Sequence, residues 1–129
     1  MVKHTCFSIN TYTQFEELIK IKNSKKKLLI VFIKNYLVKG FGINWVHTLI
    51  TLIKKNYPYR NIKFYVDAGN DYGLSILMLR ENIDYLKLKS NIVVLKKINQ
   101  IAKKNKVLLN PDFDVVDLTK LKNYKQLKI

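Results

Sequence analysis

One cysteine, two prolines, four glycines and two arginines are all that this chain of 129 residues contains of those types. The lone Cys6 excludes an internal disulfide and a cysteine-built zinc site. Few prolines and glycines leave few positions at which regular structure must break, and no low-complexity linker. Acid is scarce as well: nine Asp and Glu stand against 24 Lys and Arg, a net charge of +15. Long apolar runs are missing. The longest stretch without Asp, Glu, Lys or Arg, Gly40–Ile53, is broken by Asn44, His47, Thr48 and Thr51. It is short of the ~18–20 apolar residues that cross a bilayer. Met1–Asn10 lacks the basic-then-apolar order of a secretory signal. A cytoplasmic protein without a membrane span is the expectation.

Apolar residues make up almost half of the chain, enough for one packed core and too many for a disordered polymer. A single domain over residues 1–118 is expected, followed by a basic tail at 119–129. The positive surplus would draw the chain toward nucleic acid, anionic surfaces or acidic partners. Only Arg60 and Arg80, however, offer the bidentate fork that phosphate and base recognition favours. Lys, Asn, Ile and Tyr are abundant together, as A+T-rich coding would make them in any protein. The lysines cluster at Lys25–Lys27, Lys54-Lys55 and Lys103-Lys104-Lys106, with Tyr57 and Tyr59 beside one cluster for base stacking. Lysine in a helix's last turn is also the ordinary partner of its dipole. No RNP, KH or zinc-finger pattern is present. Nucleic acid binding through the lysine surface is the alternative reading.

Thr13-Gln14-Phe15-Glu16 reads as a capping box opening a helix that carries Phe15, Leu18, Ile19 and Lys22. Leu28–Ile33 is an unbroken apolar run, the pattern of a strand buried on both faces. Lys34–Asn44 reads as a loop, and Ile43 opens a helix that Lys54, Lys55 and Pro58 close. Ile62–Val66 is a second strand. A helix over 71–82 is expected to bury Leu74, Leu77 and Met78. Tyr85–Leu88 reads as a more exposed strand, an edge through which a homodimer could form. Ser90 or Asn91 caps a helix with Val94, Leu95, Ile98 and Ile101 inward, and Val107–Leu109 is a further short strand. Thr5–Ile9 is a possible extra one. Strict alternation of strand and helix implies parallel pairing and right-handed crossovers. The expected architecture is a small three-layer α/β sandwich, helices on both faces of a mostly parallel sheet of four to five strands.

Ligands of such folds sit beyond the carboxyl ends of the strands. Two segments should open there. The first supplies Lys34, Asn35, Gly40, Gly42 and Trp45, with Tyr36, Phe41 and Trp45 as an aromatic wall and Lys34 free to meet Asp67 or an anion. The second supplies Asp67, Gly69, Asn70, Asp71 and Gly73, where glycines and a helix amino end would let backbone amides approach an anion. Turn geometry and helix capping explain the same residues without a ligand. Neither segment is a Walker A loop or G-x-G-x-x-G. His4 and His47 stand at no metal-ligand spacing, no serine lies in G-x-S-x-G, and Asp112, Asp114 and Asp117 read as a solvated turn. No cofactor and no catalytic set is expected.

The blocks G-F-G-I-N-W (40–45), V-D-A-G-N-D-Y-G-L-S-I-L-M-L-R (66–80) and I-A-K-K-N-K-V-L-L (101–109) resemble those of small bacterial α/β proteins of unassigned function. The resemblance covers about the central two-thirds of the chain. It implies a common fold and a common site at Asp67 and Gly69, without an activity. The functional expectation is a non-catalytic module that binds a protein partner or a small anionic ligand at its carboxyl-edge loops. A small enzyme acting through Asp67 on a phosphorylated or carboxylated metabolite is a further alternative.

Overall fold

The computed structural model describes residues 4–22 and 27–118. The tail at 119–129, and most of the basic connection around Lys25, lie outside the described residues. In chain order the elements are β1 (Thr5–Ser8), α1 (Tyr12–Ile21), β2 (Leu29–Ile33), α2 (Asn35–Phe41) and α3 (Ile43–Asn56). There follow β3 (Ile62–Asp67), α4 (Tyr72–Leu79), β4 (Tyr85–Lys87), α5 (Ile92–Lys104), β5 (Leu108–Leu109) and β6 (Asp114–Asp117). The strands form one six-stranded sheet in the order β5-β4-β3-β2-β1-β6, parallel at every pairing. The α/β sandwich expected from the sequence is present, with six strands in place of four or five.

Several local features differ from expectation for physical reasons. Thr11, not Thr13, caps α1: its backbone is extended and its hydroxyl accepts from the Gln14 amide. The Gln14 side chain reaches back to the Asn10 amide at 2.6 Å, so an overlapping box two residues earlier wins. The segment after β2 is helical rather than a loop because Leu37 and Val38 find buried places one turn past the strand. In α4, Ser75, Met78 and Leu79 are buried while Leu77 is 48% exposed. That helix is apolar all round, so its sequence carries no directional signal. Strand β4 lies between β3 and β5 with Tyr85 and Leu86 buried, so it offers no edge for a dimer. Asp114 and Asp117 bound a strand where a solvated turn was expected.

From β1 to β5 each connection steps to the neighbouring strand in the same direction. Right-handed crossovers then deliver every intervening helix to one face. The buried apolar residues of all five described helices accordingly join one large cluster with Phe7, Ile9, Val31, Ile33, Phe64, Val66 and Leu86. The alternate strand residues Cys6, Ile30, Phe32, Tyr65 and Tyr85 form a second cluster on the other face, closed by Leu28 and Phe113. Among the described residues no helix contributes to that second cluster, so the described helices pack on one face of the sheet. Six strands spaced ~4.8 Å apart would set the outer two ~24 Å apart in a flat sheet. The chain from Leu109 to Asp114 reaches at most ~18 Å. The sheet therefore curls, and Phe113 crosses its concave side. Its ring lies 4.8 Å from Tyr85, 5.6 Å from Tyr65 and 5.7 Å from His4.

Candidate functional site

Parallel pairing puts the ends of β2, β3, β4 and β6 at one edge, so the segments after Ile33 and Val66 lie side by side. Their contact is direct: the Asn35 side-chain amide donates to the Asp67 carbonyl at 3.1 Å. The Asp67 carboxylate turns into its own loop and accepts from the Gly69 amide at 2.8 Å. Gly69 has φ +63°, and a Cβ there would stand 2.9 Å from the Asn35 side chain. Glycine is thus required twice, by conformation and by close approach. Asp71 caps α4, accepting from Leu74. Asn70 and Gly73 are exposed beside it.

Lys34 does not pair with Asp67. Its Nζ lies 2.7 Å from Asp117 Oδ2, with both side chains 18% exposed. Strand β6, invisible in the sequence, supplies that carboxylate. Lys87 is the Cα partner of Asp67, and Ser8, the partner of Asp117, is buried with its hydroxyl unpaired by protein. The rim thus carries charges of both signs, Lys34 and Lys87 with Asp67, Asp71 and Asp117. Sequence reasoning missed Lys87, Asp117 and Ser8; strand register was the one signal that joins them.

Gly40, Gly42 and Trp45 build a different part of the same edge. Gly42, at φ +90°, turns the chain from α2 into α3, while Gly40 faces open space. Phe41 is 63% exposed and its ring lies 5.1 Å from that of Trp45. Both line a groove of about 300 Å³ with Asn10, Tyr12, Leu49 and Leu52. Lys34 and Asp67 do not line it. Tyr36, 58% exposed, donates to the Asn10 side chain at 3.1 Å, tying α2 to the segment after β1.

Between the edges, burial pushes the Cys6 thiol up to about 12, which leaves it a protonated, unreactive group. Burial foremost, then Cys6 and Asp67, push Tyr65 to about 12 as well. His47 Nδ1 lies 2.7 Å from Glu81 on the surface. Among the described residues, no His, Cys, Asp and Glu side chains group to hold a metal ion, and no helix is long and apolar enough to cross a membrane. Tyr57 packs edge-on to Phe15 at 5.2 Å, whereas Tyr59 is 90% exposed. No protein-family model and no curated protein matches the chain.

Proposed function

We propose that this chain is a non-catalytic cytoplasmic module that binds a protein partner at the carboxyl edge of its sheet. One observation carries the reading: Phe41, at the end of α2, is 63% exposed and packs at a tilt against Trp45 over a mainly apolar groove. Large aromatics held in place at a concave surface are the usual anchors of protein interfaces. The charged groups of the same edge favour a protein over a small anion. Lys34 is taken by Asp117, and the Gly69 amide is taken by Asp67, so neither stands ready for an incoming ligand. Lys39, exposed one turn before Gly42, and the net charge of +15 suit an acidic partner that presents an apolar side chain.

The test is co-purification with tagged wild type, Phe41→Asp and Val93→Asp. The last changes an apolar residue that is 59% exposed on α5, away from the groove. A partner retained by wild type and Val93→Asp, lost with Phe41→Asp and cross-linked to Lys39 is the expected result. A complex indifferent to Phe41→Asp, or none beyond the untagged control, contradicts the reading.

A further inference from the structure

The groove beside Phe41 has a direction. Trp45, Thr48 and Leu52 follow one another at helical spacing along α3, so they fall on one line about 10 Å long. Phe41, packed against Trp45, prolongs that line at its amino end. Steps of four, three and four residues make the seam along which one helix receives another. The line that α3 turns to the core is a different one: Val46, Leu49, Ile50 and Ile53. The second line is not consumed by the fold, because Leu52 remains 38% exposed and Phe41 more so.

The wall opposite is already set. Asn56 donates to the Tyr12 hydroxyl at 2.8 Å, and the Asn10 side chain accepts from Tyr36. With the buried Leu49 in its lining, the groove is a recess. Such a shape takes a ridge of side chains rather than a flat lipid surface. Among the described residues, none that lines it is charged. Lys39 stands just before Phe41, and Lys55 holds the next place on the line after Leu52; both are exposed. Glu16, one turn past Tyr12, is half-buried near Tyr57. Helix ends explain why Lys39 and Lys55 are lysines, yet their charge still selects the sign of whatever lies between them. A second copy would bring another +15 against the first, and residues 119–129 carry four lysines and no acid. Neither supplies the opposite charge.

We infer that the groove receives an amphipathic helix of the partner, acidic on its flanks, laid along Phe41, Trp45, Thr48 and Leu52. This rests on the partner reading above and adds the partner's local shape and sign. The probe is a fluorescent peptide of about sixteen residues, long enough to cover the line, with leucines at steps of four and three among glutamates. A shuffled peptide of equal composition and one with lysine in place of glutamate are its references.

The acidic amphipathic peptide should bind wild type at least roughly tenfold tighter than either reference and gain helicity on binding, since alone it is too short for a stable helix. Leu52→Asp and Thr48→Asp, both at exposed positions, should each weaken it by roughly tenfold. Val93→Asp should not. Lys39→Gln and Lys55→Gln should each cost roughly threefold, a loss that high salt removes. Equal binding of the shuffled peptide, or an equal loss with Val93→Asp, overturns the inference. A dimer in sedimentation that Leu52→Asp dissolves would seat a second copy in the groove instead. Phosphatidylglycerol vesicles bound by wild type and released by Leu52→Asp would seat a membrane there; either result overturns it too. A partner held through Phe41 but indifferent to Leu52→Asp removes the helix and leaves the partner reading standing.

Discussion

The two edges of the sheet handle charge in opposite ways. At the carboxyl edge, charged groups find partners within the chain: Lys34 with Asp117, and Asp67 with its own Gly69 amide. What remains open there is the aromatic pair Phe41 and Trp45, with Lys39 exposed beside it. At the amino edge, His4, Lys22, Lys27 and Arg60 line one cavity, and among the described residues no carboxylate lines it. Ligands of open α/β sheets gather at the carboxyl edge, yet here basic side chains crowd at the other. Position in the fold says where ligands usually bind; local pairing of charge says which chemistry is still available.

The largest effect is expected in the floor shared by both edges. Cys6 and Tyr65 have folded pKa values raised to about 12. Below pH ~7.5 both groups are protonated folded and unfolded, and contribute no slope. Between pH ~8 and ~12 the unfolded chain releases protons that the folded chain keeps, so stability falls as pH rises. Urea melts should be level from pH ~6 to ~7.5 and weaken above it. Cys6→Ala with Tyr65→Phe should flatten the alkaline decline, whereas an unchanged decline would place its source at an edge.

Next in size is the rim pair. Lys34→Met removes one ionic partner of the half-buried Asp117 and should cost about 1–3 kcal/mol in a denaturant melt. At the amino edge the sign differs: Lys27→Met should cost nothing, or gain about 0.5 kcal/mol or less, because like charges part. Equal losses at the two edges would erase the contrast. Gly69→Ala should cost about 1–2 kcal/mol from its left-handed backbone. Part of the loss should return in the double variant with Asn35→Ala, which removes the atoms a Cβ would strike. A strictly additive pair would mean that the two segments are not in contact.

Much of the sheet was legible in the letters. The runs at Leu28–Ile33 and Ile62–Val66 alternate with helical patterns, and that alternation alone requires parallel strands and a shared carboxyl edge. The contact of Asn35 with Asp67 follows from it. Strand β6 was not legible: Asp114-Val115-Val116-Asp117 is four residues long, flanked by acids, and becomes a strand only because β1 offers a free edge. With it went the partner of Lys34. The helix α2 was hidden by Gly40 and Gly42, which look like loop punctuation until Leu37 and Val38 are seen buried. The amino-edge cavity was hidden for another reason. His4 precedes β1, Lys22 and Lys27 share the connection from α1 to β2, Arg60 belongs to the one from α3 to β3, and only the common direction of the strands makes them neighbours.

A nitrogen-15 amide spectrum recorded while the acidic helical peptide is added reads both edges in one titration. Saturable shifts at Phe41, Trp45, Thr48 and Leu52, with the amides of Thr5, Leu29, Ile30 and Arg60 undisturbed, are the predicted result. Saturable shifts confined to Thr5, Leu29, Ile30 and Arg60 would mean that the acidic peptide follows the crowded bases of the amino edge, and the contrast between the edges would fall.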